Sequence, residues 1–159
     1  MSKSYPASGS TGKPRRKEGT MNLPTARRMF PLVRRIAEEL RDATRLAATL
    51  NQRNEHLERF RRELVWQERQ MWYRIREQLA QNEQVLAETR RELNDLGVTI
   101  LDAYEGRVGF PTLVSGERAY FTWQPDEDDI RYWQYPGDSE RRPIPKEWDQ
   151  EADLRVANR

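Results

Sequence analysis

The stretch Leu57-Glu58-Arg59-Phe60-Arg61-Arg62-Glu63-Leu64-Val65-Trp66-Gln67-Glu68-Arg69-Gln70-Met71-Trp72 decides the fold. Upstream of it, apolar residues step by three and four along one stripe: Val33, Ile36, Leu40, Ala43, Ala47, Leu50, then Asn54 and Leu57, with Leu64 one heptad on. Downstream, a second stripe runs Trp72, Ile75, Leu79, Leu86, Leu93 and Leu96, with Asn82 and Thr89 in polar slots. Leu64 to Trp72 is eight residues where an unbroken heptad ladder gives seven, so the stripe jumps around the helix cylinder there. The phase change predicts that the chain doubles back within Glu63 to Arg69. A single helix of about 65 residues would run for about 100 Å and need a partner along its whole length. A hairpin with two arms of about 30 residues buries the same stripes within one chain. Asn51-Gln52-Arg53-Asn54 offers an alternative turn, with arms of unequal length.

Residues 32 to 96 contain neither Gly nor Pro and are dominated by Ala, Leu, Glu, Gln and Arg, which lose least on entering a helix. The helical region should open at Asn22-Leu23-Pro24-Thr25, with Asn22 as cap and Pro24 in the first turn. Pro31 falls inside the apolar pattern, which predicts a kink or short break at Arg28 to Phe30 and an N-terminal cap helix before it. Leu96-Gly97 reads as a helix stop. Beyond it the pattern turns to β: Val98 to Leu101 as a strand, Tyr104 to Arg107 as a turn, and Ser115-Gly116-Glu117 as a hairpin loop. Arg118 to Trp123 and Ile130 to Tyr135 follow as strands either side of an acidic loop, Gln124 to Asp129. The expected fold is therefore α+β: a long antiparallel, coiled-coil-like helical hairpin over 20–96 with a turn near 63–69, then a small antiparallel β module over 97–145 packed on it.

Residues 1–19 are rich in Ser, Gly, Pro and Lys and read as a disordered basic tail, since ordering them buries too little surface to offset backbone entropy. Residues 146–159 are polar apart from Trp148 and read as a loose tail. Lys+Arg 28 against Asp+Glu 26 leaves a net charge of only +2, so global charge names no partner. There is no cysteine, which excludes disulfides, thiolate metal sites and thiol catalysis. The opening Met-Ser-Lys-Ser-Tyr-Pro has no apolar core of a signal peptide, and no stretch is apolar enough for a spanning helix; a cytoplasmic address without membrane contact is expected.

Several short signatures occur in a telling order: Leu96-Gly97-Val98; Gly106-Arg107-Val108-Gly109-Phe110-Pro111; Gly116 with Ala119-Tyr120-Phe121-Thr122-Trp123; Tyr132-Trp133; and Arg142-Pro143-Ile144. Together with Asn22-Leu23 and Phe30-Pro31-Leu32-Val33, this order resembles a bacterial family known as domain of unknown function 2203. The resemblance implies a helical hairpin plus a small sheet, implies no activity, and marks Gly97, Gly106, Phe110, Pro111, Trp123, Tyr132, Trp133 and Arg142 as structural motif residues. The family pattern carries Asp, Cys and His at three positions where this chain has Gly109, Thr122 and Gln134, so any reactive role of those types is missing here.

Groups able to attack, exchange protons or hold a metal are scarce. His56 is the only histidine and lies among Asn54, Glu55 and Glu58 on a polar side, as a solvated residue does. Gly9-Ser10-Thr11-Gly12-Lys13 resembles the end of a phosphate-binding loop but lacks the flanking strand and helix. Asp126 to Asp129 lacks the ligand spacing of a calcium loop and reads as an acidic tip. No catalytic residue, metal ligand, cofactor or small-molecule substrate is indicated. Twenty-four of the 28 basic residues are Arg, interleaved with acids so that i to i+4 ion pairs account for most of them. Trp123 and Trp133 fit a core, whereas Trp66, Met71, Trp72 and Tyr73 concentrate apolar area at the hairpin tip.

The sequence thus leads to the expectation of a non-enzymatic cytosolic interaction or scaffold protein that binds a protein partner or a second copy of itself through the hairpin. The polar slots Asn54 and Asn82, which can set register between chains, point the same way. The alternative is an RNA- or ribosome-associated protein using Lys13, Arg15, Arg16 and Lys17 of the tail together with helical Arg.

Overall fold

The structure, a computed structural model, describes residues 19–149. Helix α1 spans Leu23–Arg59; Asn22 caps it by accepting a hydrogen bond from the Thr25 N–H at 3.0 Å. Pro31 does not interrupt it, so the expected break and separate cap helix are absent. Pro31 is exposed, and the Arg27 carbonyl that its ring leaves without an N–H is therefore on a side that water can reach. Helix α2 spans Trp66–Asp95 and ends in a Schellman arrangement. Gly97 takes φ 77°, its N–H bonds to Asn94 O at 3.0 Å, and the Val98 N–H bonds to Leu93 O at 2.9 Å.

The two helices are antiparallel neighbours joined by residues 60–65, so the chain doubles back as the phase change required. The turn lies a few residues earlier than 63–69, because Val65 is already the extended cap of α2 and its carbonyl accepts the Arg69 N–H. Leu64 is buried in the connection itself and not in a helical ladder. Asn54 and Asn82 are both used inside the chain. The Trp72 indole N–H donates to Asn54 Oδ1 at 3.0 Å, and Asn82 Nδ2 donates to Ala43 O at 2.7 Å. These slots tie one arm of the hairpin to the other, which removes them as grounds for a partner helix.

Five antiparallel strands follow in the order β1 (Thr99–Asp102), β2 (Arg107–Val114), β3 (Glu117–Trp123), β4 (Tyr132–Gln134) and β5 (Arg142–Pro143). The β2–β3 turn is the two-residue Ser115-Gly116, both at positive φ, the geometry that matches strand twist. Val108 pairs with Trp123, Phe110 with Phe121, and Phe121 with Trp133. These side chains form one face, which buries against Leu23, Phe30, Val33, Ile36 and Leu40 of α1 and Leu93 of α2. The last strand is shorter than the expected Ile130 to Tyr135, because Ile130 leaves the sheet to enter the core while β5 supplies an unforeseen edge.

Residues 146–149 are not a loose tail. Trp148 packs on Trp133 and Phe121, with ring centroids 5.3 and 6.1 Å away, and Asp149 pairs with Arg27. The remainder of that expected tail, 150–159, and residues 1–18 lie outside the described residues. No helix among the described residues is long and apolar enough to cross a membrane.

Candidate interaction surface at the hairpin apex

The hairpin holds two separate apolar clusters. The larger joins the helix ends to the sheet; the smaller consists of Leu50, Leu57, Leu64 and Ile75 with Trp72 and Leu79, and no sheet residue takes part in it. The distal part of the hairpin therefore packs only on itself. Its thin interior leaves large apolar side chains outside: Phe60, Val65, Trp66, Met71 and Tyr73 are all exposed, Trp66 at 70% and Tyr73 at 61%. These are five of the nine exposed large hydrophobic residues among those described, gathered within the span 60–73. A concentration of this kind marks contact surfaces more often than scattered single residues do.

The four residues expected at the tip divide three ways. Trp72 faces the interior, half-buried, held by Asn54 and covered by the Arg76 guanidinium 5.1 Å from its ring; it builds the hairpin. Trp66 and Tyr73 are two helical turns apart on the outward side of α2. Met71 lies on the other side, where with Gln52, Arg53, His56, Leu57 and Ile75 it lines an open groove of about 640 Å³ between the helices. A second depression of about 230 Å³ continues it toward the turn, sharing His56 and Leu57 and adding Phe60, Glu63, Leu64 and Glu68. His56 is exposed with its ring 5.2 Å from Phe60. Linear reading missed this groove because its walls come from two helices and only their pairing places Met71 beside His56.

Charge is also distributed differently from expectation. On the helices a single i to i+4 ion pair is found among the described residues, Arg34 with Glu38. Arg53, Arg59, Arg61, Arg62, Arg69 and Arg74 make no ion pair among the described residues; the pairs that exist lie nearer the sheet, as Arg45 with Glu105 does. The apex thus presents unpaired guanidinium groups beside exposed aromatic rings.

The other residues singled out by sequence sit in the sheet or outside the described region. Lys13, Arg15, Arg16 and Lys17 fall among residues 1–18, outside it. Phe110 and Trp123 are fully buried, and the Trp123 indole donates to Glu127 O at 2.8 Å while its ring meets Phe30 edge-on. Pro111 O accepts the Met21 N–H at 2.8 Å, anchoring the start of the hairpin on the sheet. Tyr132 and Trp133 each lie beneath a guanidinium, that of Arg141 and Arg142 respectively. Gly106 has no room for a side chain: an added Cβ would come within 2.9 Å of Pro125 Cγ and 3.2 Å of Ala37 O.

Positions 109, 122 and 134 converge on one face. Gly109 pairs with Thr122, and Gln134 pairs with Tyr120, which shares the Thr122 side of β3. The Tyr120 ring occupies the space beside Gly109, and Arg141 donates to the Thr122 hydroxyl at 2.9 Å. Arg141 also pairs with Glu127 at 2.6 Å, the Glu127 side chain being only 10% exposed. Burial pushes the Glu127 carboxyl above its usual range, opposed by Arg141. In the acidic loop Asp128 is bound by Arg131, which holds its carboxyl below the usual range, and Asp129 accepts the Ile130 N–H. The loop carboxylates thus turn to different partners, and no group of three or more His, Asp or Glu suited to a metal ion occurs among the described residues.

No curated protein and no solved structure matches the chain significantly. A family model does match, over residues 20–144, which takes in the hairpin, its apex and all five strands. The chain belongs to the family described as "Uncharacterized conserved protein (DUF2203)".

Proposed function

We propose that this chain is a non-enzymatic interaction or scaffold module of the cytoplasm, which contacts a protein through the apex of its helical hairpin. The observation that carries the reading is the gathering of Phe60, Val65, Trp66, Met71 and Tyr73, exposed, on a part of the fold that no sheet residue covers. Trp, Tyr and Arg are the residue types that dominate binding energy at protein interfaces, and the apex is rich in all three. A photo-crosslinking residue in place of Trp66 tests it in living cells, with the same residue in place of the exposed Arg90, nearer the sheet, as control. Adducts from position 66 and none from position 90 support the reading; equal labelling or none at either ends it.

A second reading, binding to single-stranded RNA, is favoured by the unpaired Arg69 and the exposed Trp66 and Tyr73 on one side of α2, since guanidinium groups and ring faces together hold stacked bases. It requires retention of an unstructured RNA oligonucleotide that weakens steeply with salt. Absence of binding at low salt excludes it.

A further inference from the structure

We infer that the partner at the apex is a second copy of this chain, seated antiparallel across the groove between the helices. The inference rests on the apex reading above and names its occupant. The two depressions form one trough, with Leu57 and His56 common to both. Met71 and Ile75 line one half and Phe60 and Leu64 the other, so apolar side chains run along its length. The charged side chains that line the two ends are opposite in sign, Arg53 at the Gln52 end and Glu63 and Glu68 at the end toward the turn, while the unpaired Arg59, Arg61, Arg62 and Arg69 of the apex are not part of that lining. None of Arg53, Glu63 and Glu68 has an ion-pair partner among the described residues.

A two-fold axis makes residue i meet residue j while j meets i. A trough whose lining is positive at one end, negative at the other and apolar between is complementary to itself under that operation. With the axis near Leu57 and Met71, Arg53 of each copy faces Glu63 and Glu68 of the other, and the exposed Phe60 and Met71 rows close over one another. An occupant with uniform charge would gain at one end and lose at the other, which is why a second copy fits better than an acidic or a basic segment.

Sedimentation equilibrium on the full chain tests this, using the wild type, Arg53→Glu, and the double variant Glu63→Arg/Glu68→Arg. These side chains have no ion pair to lose within the chain, and far-ultraviolet circular dichroism checks that each variant stays helical. The wild type is expected to dimerise. Each variant alone should dimerise at least tenfold more weakly, and an equimolar mixture of the two should recover a dimer, because each mismatch is then met by its complement. A wild type that stays monomeric at all concentrations overturns the proposal, and adducts to a different protein from position 66 would then leave the apex reading standing. A wild-type dimer that neither variant weakens, or weakened variants whose mixture stays monomeric, overturns it equally.

Discussion

The Trp72 indole N–H and the Asn54 side-chain oxygen meet across the hairpin at 3.0 Å, joining the first turns of α2 to the last turns of α1. The bond fixes how far one arm slides along the other just below the apex. Trp72→Phe keeps the ring stack and leaves Asn54 half-buried without its donor; the expected cost is about 1 kcal/mol in chemical denaturation. Adding Asn54→Leu should recover part of that loss, because the unpaired acceptor is then gone. A double variant as weak as the sum of its parts would show that the two side chains act independently.

Gly106 turns the chain from β1 into β2 at φ 72°, with Pro125 Cγ, Arg41 Cβ and Ala37 O all within 3.2 Å of an added Cβ. Gly116 has nearly the same φ, 78°, and open space around it. Gly106→Ala is expected to cost about 3 kcal/mol or more, through backbone strain plus collision with α1. Gly116→Ala, bearing strain alone, should cost about 1 kcal/mol. Thermal melts of the two variants compare them directly.

Glu127 has its carboxyl raised above the ordinary 4.5 chiefly by burial, with Arg141 opposing. A carboxyl that holds its proton more tightly folded than unfolded makes stability fall as pH rises from 4.5 through the folded value, and restores it as pH returns toward 4.5. The stability difference between wild type and Glu127→Gln should therefore shift in favour of wild type on acidification from neutral pH and level off below 4.5. A difference that does not vary with pH would contradict the assignment.

Trp148 sits between Phe121 and Trp133 on the sheet, half-buried. Trp148→Ala is expected to destabilise the protein by about 2 kcal/mol, less than a fully buried Trp would. Trp66→Ala should leave stability within about 0.5 kcal/mol of wild type, since that ring is almost bare.

The hairpin was legible because the stripe that reaches Leu57 and the stripe that starts at Trp72 are out of heptad phase, although Leu64, read as a further rung, lies in the connection; the Gly97 stop was legible because glycine takes positive φ freely. Other features depended on neighbours that no local pattern names. Asn54 and Asn82 read as polar slots open to another chain, yet their partners lie on the opposite arm. Pro31 read as a break, yet an exposed proline leaves its orphaned carbonyl to water. Arg142-Pro143 is too short for alternation to mark β5, and Trp148 stands alone among polar residues with nothing in sequence to say that Phe121 waits for it. The groove could not be read at all until α1 and α2 were paired, because Met71 and His56 become neighbours only then.

The fold and its exposed apex both depend on the chain doubling back between Arg59 and Trp66. Spin labels at Arg35 and Arg90, both exposed and on opposite arms, measure this by electron–electron double resonance. The hairpin places the two helices about 10 Å apart axis to axis, so a label separation of roughly 20–35 Å is predicted once label length is included. A single unbroken helix would put the sites about 80 Å apart, and that distance would contradict both the fold and the apex it creates.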